Sequence, residues 1–335
     1  MMTSQVSASP LRVGVMGCSS FAQRTMIPAI AAANGVELRA IASRDLSRSQ
    51  VLADQYGAVA LGSYEALLER ADIDLVYMPL PTALHEPWVM AALEAGKHLL
   101  VEKSFAADLA SAQRMLDLAR LKRRLVVENF LFRRHSQLSW VKQQLATGAI
   151  GQLKFFRGCF SIPALAQDNF RYRADLGGGA LLDAGVYLVK SAIEFLGPDL
   201  ELLYATLEFD SERQIDLRGS AAWVNGAGTI AQTLWAFDTH YQCTWDFQGT
   251  DGRILCERAL TPPPNFQPPV RLERGSSREE LQLPADNHYV AQWNYLAQAV
   301  SSEQSIDAAL TETLLQAKQL QQVIDSAKHL PLLES

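Results

Sequence analysis

The sequence predicts an α/β protein of two domains, and three observations lead to this prediction. The chain has 335 residues, which is longer than a single hydrophobic core usually supports. Hydrophobic residues make up 48% of it and charged residues 20%, the balance of an ordinary globular protein. Short β-rich segments alternate with helical ones in the first part, and longer β-rich segments follow. We therefore expect one domain over residues 1–130 and a second over residues 131–335.

The first predicted domain alternates apolar segments with amphipathic helices. The apolar segments are Leu11–Met16, Val36–Ala42, Ile73–Met78, Lys97–Val101 and Leu125–Val127. Their nearly continuous hydrophobicity is typical of parallel strands buried on both faces. Helical spacing occupies the intervening segments, which are Phe21–Ala33, Leu46–Tyr56, Leu84–Ala95 and Asp108–Lys122. This alternation predicts a doubly wound parallel sheet.

The second predicted domain is an α+β unit with an open, mostly antiparallel sheet. One helix is expected from Ser136 to Thr147, and a last amphipathic helix over Asp307–Lys328. Strands are expected at Leu153–Phe160, Leu202–Phe209, Thr229–Phe237, Tyr241–Phe247 and Gly252–Glu257. In Thr229–Phe237 apolar residues occupy both alternating faces, so neither face is suited to water. We expect one face to pack on helices and the other to form the interface of a homodimer or homotetramer.

The bulk composition argues against several classes of function. The net charge is −6 at pH 7 and basic residues do not cluster, so no nucleic-acid partner is expected. No apolar segment is long enough to span a bilayer, and residues 1–10 lack the apolar core of a signal peptide. These features predict no membrane partner and a cytoplasmic location. No metal site is predicted, because metal-ligand spacing is missing among the four cysteines, which are Cys18, Cys159, Cys243 and Cys256.

A glycine turn follows the first predicted strand and leads directly into a helix. Residues 13–22 read Val-Gly-Val-Met-Gly-Cys-Ser-Ser-Phe-Ala, an arrangement in which backbone N–H groups and the positive end of a helix can bind a pyrophosphate. Read as G-x-G-x-x-G from Gly17, the motif has Ser19 and Ala22 in place of its second and third glycines. A purely structural turn is the alternative. The position on the first strand of a β/α alternation favours a dinucleotide-binding Rossmann domain.

The end of the second predicted strand indicates which dinucleotide is preferred. NAD enzymes usually present an acidic residue there to the ribose 2′-hydroxyl, whereas this chain has Ser43 and Arg44. A guanidinium binds a phosphate through two parallel hydrogen bonds. The pair favours NADP(H) over NAD(H), although a solvated loop arginine is the alternative and Asp45, directly after it, keeps NAD(H) open.

Four further segments complete a family pattern. They contain the motifs Pro-Leu-Pro-Thr, Ala-Gly-Lys-His…Glu-Lys, Gly-Ala-Ile-Gly and Gly-Gly-Gly…Asp…Tyr, at Met78–His85, Ala95–Lys103, Gly148–Gly151 and Gly177–Tyr187. In this order and spacing, nearly the whole chain resembles the Gfo/Idh/MocA family, named after glucose-fructose oxidoreductase and inositol dehydrogenase. Arg24, Pro28 and the Ser-Arg pair are among the details most similar to NADP-dependent nucleotide-sugar 3-ketoreductases within that family.

The resemblance implies a catalytic centre made of Lys103, Asp183 and Tyr187. Lys103 is expected beside the nicotinamide at the carboxyl end of a strand, where open α/β sheets bind ligands. Its ammonium would bind the substrate carbonyl, stabilise the developing alkoxide and take part in proton transfer. Asp183 and Tyr187 are four residues apart in a predicted helix and share one face. The resemblance implies that Asp183 binds a sugar hydroxyl and that Tyr187 shares proton transfer; the alternative is a packing tyrosine beside a polar face.

The resemblance also gives a set of cofactor-binding residues. His85 is expected to line the cofactor pocket, with a purely structural histidine as the alternative, and Glu102 to face the nicotinamide ribose. The predicted set is Gly17, Cys18, Ser19, Ser20, Phe21, Ser43, Arg44, Tyr64, Pro79, Leu80, Thr82, His85, Glu102 and Lys103.

Three further expectations concern the surroundings of the lysine. Relatives commonly carry proline after it, often in a cis bond, whereas this chain has Ser104; a cis bond before another residue costs about 3 kcal/mol, so we expect a trans bond. The segment Glu128–His135 is expected to join the domains and line the cleft. Arg171 and Arg173 are candidates to hold a phosphate or carboxylate.

The leading functional hypothesis is an NADP(H)-dependent oxidoreductase that transfers hydride to or from a hydroxyl or ketone carbon of a sugar, above all a nucleotide-linked ketosugar. A polyol, inositol or dihydrodiol dehydrogenase would use the same groups in reverse. Glycoside cleavage through transient oxidation with a retained cofactor is a third hypothesis. A non-catalytic NADP-binding sensor or scaffold is the fourth.

Overall fold

The computed structural model describes residues 9–332, and within this range six parallel strands form the first sheet. Their spatial order is β3-β2-β1-β4-β5-β6, which is the order of a dinucleotide-binding Rossmann domain. The strands are β1 Leu11–Met16, β2 Val36–Ala42, β3 Val59–Leu61, β4 Leu75–Met78, β5 His98–Val101 and β6 Val126–Glu128. The carboxyl ends of β1 and β4 are neighbours where the strand order reverses, so the binding crevice is expected there.

Helices cover both faces of this sheet. Asp108 caps the helix that begins at Leu109: its carboxylate accepts a hydrogen bond from the Ser111 amide at 2.7 Å, as its residue type predicts. A π-helical turn, Ala22–Met26, precedes the first. The helices are α1 Ile27–Ala32, α2 Leu46–Tyr56, α3 Tyr64–Leu68, α4 His85–Glu94 and α5 Leu109–Lys122. The predicted doubly wound sheet is confirmed.

The second sheet has nine strands within the described residues. Their order is β14-β13-β12-β11-β7-β10-β9-β8-β15. Only the pairs β7–β10 and β8–β15 are parallel, so the predicted open, mostly antiparallel sheet is confirmed. The strands are β7 Leu153–Ser161, β8 Leu200–Asp210, β9 Ile215–Asn225, β10 Ile230–Ala236, β11 Gln242–Gly249, β12 Gly252–Glu257, β13 Pro269–Arg274, β14 Ser277–Gln282 and β15 Lys328–Pro331.

Within the described residues the second part of the chain has four α-helices, which are α6 Ser136–Ala146, α7 Val186–Leu196, α8 His288–Ala299 and α9 Glu303–Ser326. Two of them, α8 and α9, pack against the first sheet. Trp293 of α8 is fully buried in the core of the parallel sheet. Helix α9 contributes Leu310 to that core and Val323 to the core of the second sheet. Helix α9 therefore packs against both sheets. The expected domain boundary at residue 130 stays a prediction.

Strand β10 has one buried face and one exposed face, and the expected subunit interface on the exposed face stays a prediction. Trp235 packs inside the core, whereas Leu234 is 53% exposed. Phe155 on β7 and Tyr204 on β8 are also exposed and lie on the same outer face. One face is therefore covered by helices, and the other exposes these three apolar side chains together with polar ones such as Gln232 and Arg157.

No helix within residues 9–332 combines the length and apolar character needed to cross a membrane. The cytoplasmic location expected from the sequence stays a prediction.

Candidate active site

The glycine turn after β1 lies against the loop after β4. Gly17 has a φ of +117°, and a Cβ there would lie 3.0 Å from Cδ2 of Leu80, so the turn needs glycine for both its conformation and its close approach. Pro79 is buried beside it. Ser20 is exposed, and the ring of Phe21 lies 6.2 Å from that of Tyr289 on α8.

Side-chain hydrogen bonds hold the rest of this turn. The Ser19 hydroxyl accepts a hydrogen bond from the Ala22 amide at 3.1 Å and so caps the helical segment. The carbonyl of Cys18, whose side chain is buried, accepts hydrogen bonds from Gln23 Nε2 at 2.9 Å and Arg48 Nη2 at 2.8 Å. The backbone is thus fixed at the edge of the sheet where the strand order reverses.

After β2, the carboxylate of Asp45 is engaged in hydrogen bonds, whereas the side chain of Arg44 is exposed. Asp45 caps α2 and accepts hydrogen bonds from the Ser47 hydroxyl and amide, at 2.7 and 2.9 Å. These bonds lower the pKa of Asp45. Ser43 is buried and its hydroxyl accepts from the Asp45 amide at 3.2 Å. Arg44 is exposed. Burial raises the pKa of Tyr64, and the nearby Arg44 guanidinium opposes that shift.

The loop after β4 is held from behind by His85. This side chain has no exposed surface; its Nε2 lies 2.9 Å from the Leu80 carbonyl and its Nδ1 lies 3.1 Å from the Phe105 carbonyl. Burial lowers the pKa of His85 against the influence of these carbonyls. The imidazole therefore joins the loops after β4 and β5 from inside the protein. Thr82 contacts the second part of the chain, since a Cβ on Gly177 would lie 2.9 Å from its own Cβ.

Lys103 and Asp183 form an ion pair across the crevice. Lys103 Nζ donates to Oδ1 of Asp183 at 2.5 Å and to its main-chain carbonyl at 2.9 Å. Arg171 Nε donates to Oδ2 at 2.7 Å. Burial alone would raise the pKa of Asp183, but the charges and hydrogen bonds of Lys103 and Arg171 outweigh it and lower the pKa to about 2. Asp183 is therefore an ionised carboxylate held between two cations.

Tyr187 lies beside this ion pair, with Lys103 Nζ 5.2 Å from the centroid of its ring. Aromatic rings of Phe130, Phe132 and Phe160 pack around it at centroid distances of 5.6, 6.2 and 5.4 Å. Burial, followed by the negative charges of Glu102 and Asp183, raises the pKa of Tyr187 well above its usual range. The phenol thus stays neutral and can donate its proton. The lysine and the tyrosine, far apart in sequence, share one crevice.

Glu102 is held by neutral donors. Its Oε1 accepts hydrogen bonds from the Tyr77 hydroxyl at 2.8 Å and from Asn129 Nδ2 at 2.7 Å. Burial raises the pKa of Glu102, while those two hydrogen bonds oppose the shift. The two carboxyl groups beside Lys103 therefore differ: two cations lower the pKa of Asp183, whereas burial raises the pKa of Glu102.

The peptide bond between Lys103 and Ser104 is cis, so the expectation of a trans bond was wrong. Residues on the carboxyl side of this bond make hydrogen bonds to distant segments. The Ser104 hydroxyl donates to the Leu182 carbonyl at 2.9 Å, and the Phe105 amide donates to Oε1 of Glu128 at 2.9 Å. Both partners are distant in sequence, so the residue type after the lysine could not indicate them.

Three further residues near the crevice, Arg173, Arg48 and Asp216, differ from what the sequence predicts. Arg173 pairs with the exposed Asp175 and, unlike Arg171, does not reach Asp183. Sequence reasoning missed Arg48, whose guanidinium donates to the Cys18 carbonyl in the glycine turn; its position four residues after Arg44 was the available signal. It also missed Asp216, whose carboxylate bonds the start of the helix that carries Asp183; its role depends on a tertiary contact and had no local signal.

The parallel sheet and the crevice at its carboxyl edge have the architecture of the dinucleotide-binding class of proteins. Residues 11–130 match a family model described as oxidoreductase family, NAD-binding Rossmann fold, and residues 139–255 match the GFO/IDH/MocA C-terminal domain. The chain belongs to the GFO/IDH/MocA oxidoreductase family, as its motifs implied.

Several relatives are similar over most of the chain. The dTDP-3,4-didehydro-2,6-dideoxy-α-D-glucose 3-reductase of Actinomadura kijaniata is 40% identical over 90% of this chain and 91% of its own length. The protein of the same description from Streptomyces violaceoruber is 43% identical over 87% of this chain and 85% of its own. A crystal structure of a 3-ketoreductase from Actinomadura kijaniata with NADP and TDP-benzene superimposes with a TM-score of 0.93, at 38% identity, over 97% of this chain and all of that one.

Proposed function

We propose that this protein uses NADPH to reduce the C3 ketone of a dTDP-linked ketosugar. The observation that carries the proposal is the convergence of Lys103, Asp183 and Tyr187 at the carboxyl edge of the parallel sheet, with Lys103 Nζ 2.5 Å from the carboxylate and 5.2 Å from the centre of the phenol ring. The substrate class comes from the relatives, whose descriptions specify a dTDP-linked 3-ketosugar.

The residues after β1 and β2 fit an NADP molecule. Gly17 leaves no side chain between the turn and Leu80, so a pyrophosphate can approach the backbone. Asp45 is engaged as a helix cap, and Arg44 is the exposed charge beside the ribose position, which suits a 2′-phosphate. When bound, this cofactor supplies the hydride. The further cofactor contacts predicted for Ser19, Ser20 and Glu102 are part of the proposal.

The proton side of the reaction belongs to this chain's own residues. Lys103 and Tyr187 are both donors, and a ketone oxygen placed between Nζ and the phenol would receive hydrogen bonds from both as negative charge develops on it. Because burial keeps the phenol neutral, Tyr187 can give its proton to that oxygen. Asp183 holds the ammonium in place through its carboxylate and its carbonyl.

The proposal is tested by mixing the purified protein with NADPH and a dTDP-linked 3-ketosugar. We expect NADPH consumption, with NADH used less well, and deuterium from labelled NADPH at C3 of the product. The control is the matching dTDP-sugar with a hydroxyl at C3 and no ketone, which should not consume NADPH. Deuterium at another carbon would refute the ring position. NADP⁺ reduction with inositol or xylose, without ketosugar turnover, would favour a polyol or sugar dehydrogenase. Cofactor and sugar binding without turnover would favour a sensor.

We also propose that the outer face of the second sheet joins copies of this chain. Phe155, Tyr204 and Leu234 are 46, 41 and 53% exposed on three strands of this face, β7, β8 and β10, and exposed large apolar side chains on one face favour association with a second copy. Sedimentation velocity should show a dimer or tetramer, and Leu234→Asp should shift it towards monomer. A wild-type protein that stays monomeric at micromolar concentration would contradict this interface.

A further inference from the structure

The helix that carries Asp183 and Tyr187 has no cap from its own sequence. Its first turn, Leu181–Gly185, is π-helical, and Ala180 before it makes no side-chain capping bond. Since the first amides of a helix need acceptors from elsewhere, another element must supply them. The Leu181 amide donates to Oδ2 of Asp216 on β9 at 2.7 Å.

Asp216 is built into the base of this helix. It is 9% exposed, and its Oδ2 also accepts a hydrogen bond from Nε1 of Trp235 at 3.4 Å. A Cβ on Gly179 would lie 2.5 Å from its Oδ1, so this glycine of the triple-glycine turn makes room for the carboxylate. A buried carboxylate at the positive end of a helix is well placed electrostatically.

The indole of Trp235, which donates to Asp216, packs between the same helix and the sheet. A Cβ on Gly185 would lie 2.9 Å from Cδ2 of Trp235, and one on Gly219 would lie 2.4 Å from its Cζ2. The ring therefore occupies the space between the helix and β9. Together, Asp216 and Trp235 fix the start and the depth of the helix relative to the second sheet.

A shift of this helix would change the geometry of the reacting groups. Asp183 is two residues after Leu181, and Lys103 binds both its side chain and its carbonyl. The Gly179 amide donates to the Arg171 carbonyl at 3.0 Å, so the loop that carries Arg171 is joined to the same anchor. Displacements of about 1 Å at an active site can cost about 100-fold in rate.

We infer that Asp216 is a positioning residue for the reduction: its carboxylate anchors the helix so that Asp183 and Tyr187 meet Lys103 at the substrate oxygen. This inference rests on the proposed function for its kinetic consequences, but the anchoring itself can be measured without turnover.

The kinetic test compares Asp216→Leu, which removes the acceptor, with Asp216→Asn, which keeps an oxygen for the Leu181 amide. We expect kcat to fall about tenfold or more in Asp216→Leu, with the KM for NADPH within about twofold of wild type, and Asp216→Asn to retain most of kcat. The deuterium isotope effect from labelled NADPH should rise in Asp216→Leu, because misaligned groups slow hydride transfer itself.

Asp210 offers a matched control. It is a buried aspartate on the same sheet, and it accepts hydrogen bonds from the Glu212 and Arg213 amides at 2.9 and 3.0 Å, at the turn after β8. Asp210→Leu should lower stability and leave kcat and the isotope effect unchanged. If Asp216→Leu does not fold, Gly179→Ala disturbs the same carboxylate from the other side and should give the same kinetic signature.

Hydrogen exchange separates this inference from the proposed function. Without substrate, amides 180–185 should exchange faster in Asp216→Leu than in wild type and Asp216→Asn. Unchanged exchange would overturn the anchoring, even if the wild type shows no ketosugar turnover and the proposed function fails. Full kcat in Asp216→Leu, or a loss of kcat matched by an equal loss of NADPH-binding sites with an unchanged isotope effect, would overturn the positioning role.

Discussion

The two sides of the crevice are built in different ways. On the parallel-sheet side, Lys103 is the second residue after β5, and its neighbour Glu102 is held by Asn129, just after the adjacent strand β6, and by Tyr77 on β4. On the other side, Asp183 and Tyr187 stand on a helix whose first amide is bonded to Asp216, 35 positions away in sequence. The first side is positioned by neighbouring strands and the second by tertiary contacts.

This difference suggests a division of chemical roles. The parallel sheet contributes a cation, and the helix contributes a carboxylate that is charged and a phenol that is neutral, because burial acts against ionisation and only Asp183 has cations within hydrogen-bond reach. We expect the cation to stabilise charge on the substrate oxygen and the phenol to complete proton transfer. The predictions below test this division, from the largest effect to the smallest.

Removing the cation should have the largest effect. Lys103→Ala is expected to lower kcat at least about 100-fold, because the developing alkoxide loses its charged donor. Steady-state NADPH consumption measures this, and NADPH binding by fluorescence should be retained.

The matched control is Lys97, a buried lysine just before the other end of β5. Its ammonium binds the carbonyls of Arg70 and Ile73 at 2.6 and 3.0 Å. Lys97→Met should reduce stability without removing the chemical step. A Lys103→Ala variant with wild-type activity would exclude the mechanism.

Removing the phenol proton should have a smaller effect. Tyr187→Phe keeps the ring among its aromatic neighbours and is expected to lower kcat about 10- to 100-fold, since Lys103 remains as a donor. Tyr204→Phe, on the exposed outer face of the second sheet, is the control and should be neutral. A loss as large as that of Lys103→Ala would mean that the two sides do not divide the roles as proposed.

The same contrast explains what the sequence could predict. The bounds of β1, β2, α2 and β12 agree with the predicted segments because each is a local apolar or amphipathic pattern with turn residues at its ends. Strand β9 was missed, since Asp216, Arg218 and Gly219 interrupt its apolar alternation. Two of these three residues serve the helix: Asp216 bonds it, and Gly219 makes room for Trp235.

In the site, too, local motifs could be predicted from the sequence and tertiary contacts could not. The sequence motifs predicted that Lys103, Asp183 and Tyr187 would act together, and the structure brings them into one crevice, although their roles stay predictions. The short β3 and α3 were missed because three and five residues carry too little periodicity. The cis bond after Lys103 and the anchor at Asp216 depend on contacts between distant segments, which no local pattern contains.

The charged state of Asp183 predicts a pH-dependent contribution to stability. Its pKa is lowered from 3.8 to about 2 in the folded protein, so its stabilisation is fully present above about pH 4 and is lost as the pH falls towards 2. Asp183→Asn should therefore lower the free energy of unfolding by roughly 2 kcal/mol at neutral pH, and by less at low pH. Urea unfolding across this range measures the difference.

Asp216 gives a control of opposite sign. Burial raises its pKa from 3.8 to about 6, so ionisation of this group costs stability as the pH rises from about 4 through 6. The difference in the free energy of unfolding between Asp216→Asn and wild type should therefore favour the variant more at neutral pH than near pH 4. Parallel pH profiles for Asp183→Asn and Asp216→Asn would show that the two carboxylates do not differ as described.

The smallest expected effect lies at the cofactor end of the parallel sheet. Arg44→Ala should raise the KM for NADPH about tenfold and leave that for NADH nearly unchanged, because an exposed guanidinium–phosphate contact lies at the low end of charge-assisted hydrogen bonds. Arg39→Ala is the control, since Arg39 lies on the same strand, β2, and pairs with Glu37 at 3.0 Å. An equal rise in the KM for NADPH and for NADH would mean that Arg44 stabilises the loop and does not bind the 2′-phosphate. Unchanged NADPH preference would move the phosphate contact to Arg48, whose guanidinium already bonds the Cys18 carbonyl.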